Sequence, residues 1–390
     1  MKYFIDIAYD SVNKKGEELC GDIVEIVRNG SSIIVVLADG LGSGVKANIL
    51  ATLTSKIAAT MLKEGLTIEE TVDTIVNTLP VCNVRQLAYS TFTILKIEED
   101  GRMYIVEFDN PPLVFIRDGK LHEIEKTPRF INDKVIYESN IKLEQDDLLV
   151  AFSDGVIHAG VGEILNLGWQ WENVSKHLAR VTKRAKSAKY ISSDLVETCL
   201  NLYNYKPGDD TTVVAVKMRK PEIVDLFTGP PENKDKDSMI AKMLMNVKGK
   251  RVVCGGTAAT IVAREFGVKI IVDVKTMNTK IPPTAYIKGI DLVTEGVLTI
   301  GRTVEIIREF SAENKNKSVS FDFRKNDGAT QLAKLLVEDC THLNLWVGKA
   351  INPAHKNPNL PIDLSIKLKI ISELVELMKK IGKKVKLTYI

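Results

Sequence analysis

The sequence predicts an α+β chain in two parts: a layered domain of strands with paired helices over residues 1–220, and a smaller α/β domain over residues 222–390. Three observations carry this. In the first half, short alternating apolar segments cluster together, and helical periodicity appears only in paired blocks between them. Charge divides unevenly: residues 1–220 hold 26 basic and 31 acidic side chains, a net of −5, while 221–390 hold 27 and 19, a net of +8. Between the halves, Pro221, Gly229, Pro230 and Pro231 punctuate a stretch of alternating charge that does not read as packed structure.

The elements follow in order. KYFIDIAY, GDIVEIVRNG and SIIVVLADG read as strands, and the NGS signal between the last two makes them an antiparallel hairpin. After Gly44 the period becomes helical, with Ala47, Leu50, Leu53, Ile57 and Met61 on the face expected to be buried. A second helix is expected over Ile68–Leu79, capped by Thr67 and carrying Glu69 and Glu70 in its first turn. Strands resume with YSTFTILKIEE, RMYIVEF, PLVFIRDG, KLHEI and DLLVAFSDG. Two helices, about Trp171–Arg184 and Tyr190–Tyr203, precede a last strand, TTVVAVKM.

Composition narrows the class of function. A total of 53 basic against 50 acidic side chains leaves a net charge of +3, which lacks the basic excess of a nucleic-acid binder. No apolar run approaches the roughly 20 residues that span a bilayer. The opening MKYFIDIAYDSV places acids where a signal peptide would be basic or apolar, so neither secretion nor insertion into a membrane is expected. The five cysteines are scattered and form no CxxC pair, which fits buried free thiols and a cytoplasmic protein better than disulfides or zinc.

Four acids share one setting. Asp22 opens a strand in CGD, Asp39 closes one in LADGLGSG, Asp154 closes one in AFSDGV, and Asp209 in PGDDTTVVAV precedes the last strand. Carboxylates gathered at strand ends repel one another unless a cation neutralises them, and hard divalent ions such as Mg²⁺ and Mn²⁺ take oxygen ligands of this kind. Singly, an Asp-Gly after a strand is an ordinary turn, and Asp100-Gly101 and Asp118-Gly119 are read that way. The order and spacing of the four together set them apart.

This series resembles the metal-dependent type 2C protein phosphatases, and within them the bacterial branch typified by stage II sporulation protein E. The resemblance covers about residues 1–218. It implies a β-sandwich of two antiparallel sheets flanked by helix pairs, an αββα layering, and hydrolysis of phosphoserine or phosphothreonine on a regulatory protein. It further implies two Mn²⁺ or Mg²⁺ ions, bridged by Asp39, with Asp22 and the Gly40 carbonyl on one and Asp154 and Asp209 on the other. Asp210 is then a neighbour rather than a ligand. In such a site the nucleophile is a metal-activated water, so no catalytic triad or cysteine is needed.

Some features depart from the family. Many eukaryotic relatives have a His in the loop after the bridging Asp, whereas this chain has Leu41 and Ser43 in DGLGSG. His158 is the candidate replacement, its plainer reading being an exposed side chain. An N-terminal phosphate-clamping Arg has no clear counterpart; Lys14 and Lys15 are the candidates. The glycine-rich stretch around Trp169 and Trp171 corresponds to a flap, and reads either as substrate-facing or as packing against the sandwich.

In residues 222–390, KGKRVVCGGTAATIVAREFGVKIIVDV reads as strand, Gly-rich turn, helix, strand. It resembles half of a nucleotide-binding βαβ unit with Asp273 in the ribose-binding place, although its glycines do not fit GxGxxG. A small anionic effector is expected at Gly255, Gly256 and Thr257, since a helix N-terminus there presents N–H donors; packing alone is the plainer reading. Asp291, Glu295 and Arg302 cluster around further glycines, NLWVG ends another strand, and LKIISELVELMKKIG and KKVKLTYI read as an amphipathic helix and a closing strand. The leading expectation is a metal-dependent protein serine/threonine phosphatase with a regulatory or docking domain. The alternatives are a catalytically silent phosphoprotein-binding scaffold, and a nucleotide-using enzyme centred on the Gly255–Gly256 loop.

Overall fold

The structure is a computed structural model that describes residues 3–30, 32–78, 90–131, 134–277, 281–311, 325–350 and 362–390, with side chains from 366 onward in the last segment. Cys82 and the expected helix end at Leu79 lie outside the described residues. The chain divides into two compact units between Lys220 and Pro221.

The first unit contains β1 (Phe4–Val12), β2 (Asp22–Asn29), β3 (Ser32–Gly40), α1 (Gly44–Lys63), α2 (Ile68–Thr78), β4 (Ser90–Glu98), β5 (Arg102–Phe108), β6 (Val114–Arg117), β7 (Lys120–His122), β8 (Thr127–Ile131), β9 (Lys134–Lys142), β10 (Leu148–Phe152), α3 (Asp154–Ile157), α4 (Trp171–Val181), α5 (Ala188–Leu202) and β11 (Thr211–Arg219). Two antiparallel sheets form, in the orders β1-β11-β10-β6-β7 and β2-β3-β4-β5-β9-β8.

The unbroken apolar run of β3 shows why four layers result. Strand side chains alternate between faces, and both faces of β3 are buried. Ile33, Val35 and Leu37 meet Leu149, Ala151, Val214 and Val216 between the sheets. Ile34, Val36 and Ala38 meet Ala51, Ala58, Val72 and Ile75 of α1 and α2. On the far side, Leu148, Val150 and Phe152 of β10 pack on Val174, Leu178, Ile191 and Leu195 of α4 and α5. The order is therefore helices, sheet, sheet, helices, the expected αββα sandwich. Two buried ion pairs, Asp6–Arg219 at 2.9 Å and Asp10–Lys189 at 3.3 Å, tie β1 to β11 and α5.

Capping of α2 follows the sequence: Thr67 Oγ1 accepts from the Glu70 N–H at 3.2 Å, and the Glu70 carboxylate accepts from the Thr67 N–H at 2.8 Å. The face of α1 follows it in part: Ala47 is buried and Leu50 and Ile57 pack against the core, but Leu53 does not. Its buried residues are Gly44, Ala47, Ala51, Thr54, Ser55, Ala58, Ala59 and Leu62, whereas Leu53 is 41% exposed. Small side chains let the helix axis come close to the sheet, and larger apolar residues are left at the margin.

The second unit contains β12 (Ile223–Thr228), α6 (Asp237–Asn246), β13 (Lys250–Cys254), α7 (Gly256–Phe266), β14 (Ile271–Asp273), β15 (Thr284–Tyr286), β16 (Leu292–Thr294), α8 (Val297–Ser311), α9 (Gly328–Lys334), β17 (His342–Val347), α10 (Ile362–Lys380) and β18 (Lys384–Tyr389). Its sheet runs β14-β15-β16-β13-β12-β17-β18. The five strands from β16 to β18 are parallel. Helices α6 and α7 pack on one face, and α8, α9 and α10 on the other. The α/β expectation holds, but the nucleotide-binding βαβ half does not. β14 is a three-residue exposed strand antiparallel to β15, not a parallel neighbour of β13. Asp273 caps the turn that follows, accepting from the Lys275 N–H at 3.1 Å, which removes it from a ribose-binding place.

The contrast within the first unit is measurable. Leu37→Ala should destabilise it by about 2–5 kcal/mol, the usual range for a large-to-small change in a closed core. Leu53→Ala should change stability by less than about 0.5 kcal/mol. Denaturant midpoints of the two variants check the assignment, and equal losses would contradict the small-residue face of α1.

Candidate active site

Strand register gathers the acids. Asp22 and Asp39 are direct partners at the open end of the β2–β3 hairpin, opposite its Asn29-Gly30 turn. In the other sheet, β1 ends with Val12 opposite Thr211 of β11, and β10 ends with Phe152 opposite Val213. Lys14, Asp154, Asp209 and Asp210 therefore all leave that sheet at one end. Asp39 lies within electrostatic reach of Asp22, Asp154, Asp209 and Asp210, so residues from both sheets share one site.

Local structure fixes each acid. Ser153, the N-cap residue of α3, donates from Oγ to Asp22 Oδ2 at 2.7 Å, and its Oγ accepts from the Thr212 N–H at 2.9 Å. One serine thus links β2, β10 and β11. Ser90 Oγ donates to the Asp39 carbonyl at 2.9 Å, and buried Tyr203 donates to the Gly155 carbonyl at 2.8 Å. Glycine is needed beside two of the acids. A Cβ at Gly21 would stand 2.8 Å from an Asp210 carboxylate oxygen, and one at Gly40 would overlap the backbone of Ala47 in α1.

The electrostatics are those of charges held together against repulsion. Burial, with the neighbouring carboxylates, pushes Asp39 up to about 9. Burial pushes Asp22 up to about 7; the Ser153 hydrogen bond works against this, and Asp210 and Asp154 add to it. Asp154 is raised by burial and by Asp209, partly offset by His158. Asp210 is raised by burial, against which the Lys14 N–H, donating at 2.9 Å, works. Cys20 at the base is pushed far up by burial and by Asp22 and Asp210. Asp22 Oδ1 is buried without a hydrogen-bond partner.

That donor set fits a hard divalent cation: anionic oxygens, among them the buried and unpartnered Oδ1 of Asp22, with Lys14 at the margin beside Asp209. Among the described residues, no three His, Cys, Asp or Glu side chains stand close enough together to hold a metal ion as they are placed.

Of the residues singled out in the sequence, Asp22, Asp39, Gly40, Asp154 and Asp209 come to this one edge. Asp210 joins them, buried and facing Lys14 and Gly21, which the adjacent pair in GDD could have signalled. Ser153 was not anticipated; a serine ahead of a helix-opening Asp is the only trace it leaves. Lys14 Nζ is 3.8 Å from Asp209 Oδ1, whereas Lys15 binds the Pro207 carbonyl through its backbone. His158 is exposed at the end of α3. The tryptophans pack against the sandwich: Trp169 sits edge-on to His177 at 5.2 Å, and Trp171 donates to the Pro112 carbonyl at 2.8 Å. Leu167, between them and His158, is 77% exposed.

Residues 29–219 match the family described as stage II sporulation protein E (SpoIIE). No curated protein matches the chain. Among solved structures, the chain is similar to the PP2C phosphatase domain and a fragment of the regulatory domain of the cell fate determinant SpoIIE from Bacillus subtilis. That match has 20% identity and a TM-score of 0.47, over 56% of this chain and 63% of that one. It is also similar to the RsbU and RsbW domains of a Mycobacterium tuberculosis protein, with 17% identity and a TM-score of 0.49 over 62% and 68% of the two chains. A third similarity is to RsbX in complex with magnesium, with 18% identity and a TM-score of 0.40 over 56% and 96%. The chain spans less than two thirds of the Bacillus subtilis structure. The similarity to the stage II sporulation protein E family thus covers residues 29–219, all of them in the first unit.

Proposed function

We propose that residues 1–220 are a metal-dependent protein serine/threonine phosphatase that hydrolyses phosphoserine or phosphothreonine on a regulatory protein. The supporting observation is the shared carboxylate edge, with Asp22 and Asp39 raised to about 7 and about 9 and one buried oxygen of Asp22 left without a partner. Asp22, Asp39, the Gly40 carbonyl, Asp154 and Asp209 would hold two Mn²⁺ or Mg²⁺ ions. Such ions supply Lewis acidity toward phosphoryl oxygens and acidify water. The chain supplies position. Ser153 orients Asp22, Ser90 holds the Asp39 peptide, and Tyr203 holds the segment that carries Asp154. Lys14, beside Asp209, offers a cation to the phosphate. Pro221–Ile390 would be the regulatory or docking domain. We place the protein in the cytoplasm, on the free thiols of Cys20, Cys199, Cys254 and Cys340.

Asp39→Asn and Asp154→Ala should each lower manganese-dependent hydrolysis of an aryl phosphate by roughly 10²–10³-fold or more, the scale of losing a principal electrostatic group. Circular dichroism should be unchanged. Wild-type turnover in either variant at saturating manganese would favour a silent phosphoprotein-binding scaffold.

Stability in chelator should depend on pH with a defined sign. The folded values of Asp22 and Asp39 lie above the ordinary 3.8. Their contribution is therefore fully present below that value and lost as pH climbs through about 7 and 9. The melting temperature of the first unit in EDTA should fall across this window, less so in Asp39→Asn, and manganese should restore it. A melting temperature in EDTA that rises with pH would oppose the reading.

A further inference from the structure

β14 and β18 are the outer strands of the seven-stranded sheet in the second unit, and they are built differently. An outer strand leaves one row of backbone N–H and C=O groups without a strand to pair with, and such edges are ordinarily blunted by lysine or proline. β18 follows that rule, with Lys384 and Lys386 exposed along it. In the first unit the outer strand β8 carries Pro128. β14 has neither. Its Ile271 and Val272 are exposed, as are Ile270 just before it, Val274 just after it and Tyr286, the partner of Ile271 on β15. Scattered exposed apolar residues are ordinary, but five along one short edge form a patch of the kind that marks an interface.

The residues of this edge are complementary to themselves. Lys269-Ile270-Ile271-Val272-Asp273, set against a second copy running the other way with Ile271 opposite Ile271, brings Ile270 to Val272 and Lys269 to Asp273. Each unlike contact then occurs twice, as a two-fold axis requires. Strand side chains alternate between faces. One face would therefore hold the Ile271 pair between two Lys–Asp contacts, and the other would hold Ile270 and Val272 of both copies. Moving the axis to Val272 instead sets Lys269 against Lys275 and Ile271 against Asp273, which is unfavourable. Lys269 and Asp273 are both exposed, and among the described residues neither forms an ion pair within the chain. Asp273 Oδ1 accepts from the Lys275 N–H, which leaves its other oxygen for a cation.

We infer that β14 is where a second copy of this chain binds, the two strands pairing antiparallel about Ile271 so that two seven-stranded sheets join into one. Pairing satisfies the outer row of backbone groups and covers Ile270, Ile271 and Val272 of each copy. The Lys269–Asp273 contacts fix register and orientation more than strength. The contact is short beside an interface of standard size, so a reversible dimer is expected rather than a permanent one.

Sedimentation equilibrium of the full chain across a concentration series tests this. At high concentration Ile271→Lys should have half the mass of the wild type. Lys269→Glu and Asp273→Lys should each weaken association by about tenfold, since each sets like charges opposite one another twice. An equimolar mixture of those two variants should recover the wild-type affinity, because both contacts of the mixed pair then join opposite charges. A wild-type chain that stays monomeric to its solubility limit overturns the inference and leaves the edge to an extended segment of another protein. A dimer unmoved by Ile271→Lys overturns it too, since the contact then lies elsewhere. A mixture no tighter than its components refutes the pairing about Ile271. Should Asp273→Lys not fold, hydrogen exchange of the wild-type chain decides: the amides of residues 270–273 should exchange more slowly as concentration rises, and rates independent of concentration refute the pairing.

Discussion

Repulsion among buried carboxylates is the constraint around which the first unit is arranged. Left to themselves, five acids at the edge of a sandwich would separate toward water or take up protons. The fold prevents the first, and the raised values of Asp22 and Asp39 register the second. Each device found there opposes separation: a hairpin register that sets Asp22 against Asp39, a serine that links three strands, and glycines that let α1 and the GDD loop close in. The rigidity comes from the double burial of β3, β10 and β11, which fixes the strand ends from which the acids project.

Much of this was legible in the sequence because it depends on short-range pattern. Unbroken apolar runs such as SIIVVLADG and TTVVAV mark strands covered on both faces, and acids at their ends mark the edge. On α1 apolar size is a poor sign of burial: Ala47, Leu50 and Ile57 meet the core, but Leu53 does not. Close helix–sheet packing favours Ala47, Ala51, Thr54 and Ser55, and it leaves Leu53 outside. Asp273 was misplaced for a different reason. Nothing local in KIIVDV tells a parallel inner strand from a short antiparallel one, since the difference lies in pairing with residues beyond Thr284. Ser153 escaped notice because its role exists only once β2, β10 and β11 are assembled.

The two units set reactive positions at strand ends by unlike means. In the first, antiparallel pairing brings the start of one strand beside the finish of the next, so an Asp from each meets across a single register. In the second, parallel pairing lines up the finishes alone, so Gly229, Gly255 and Gly348 form one rim. The first geometry collects anions and suits cations; the second brings glycines together where three strands turn away from the sheet.

The β2–β3 hairpin also couples distant parts of the sequence. Its pairs run unbroken from Asn29↔Ser32 to Asp22↔Asp39. A strand slipped by one residue turns every side chain to the other face. A one-residue slip set by the Asn29-Gly30 turn, roughly 25 Å from the acids by strand rise, would turn Asp39 away from Asp22 and move Ile34 and Val36 from the helix-covered face to the face between the sheets. The length of that remote turn, and the left-handed φ of +55° at its Gly30, therefore constrain the acid pair as directly as the acids do.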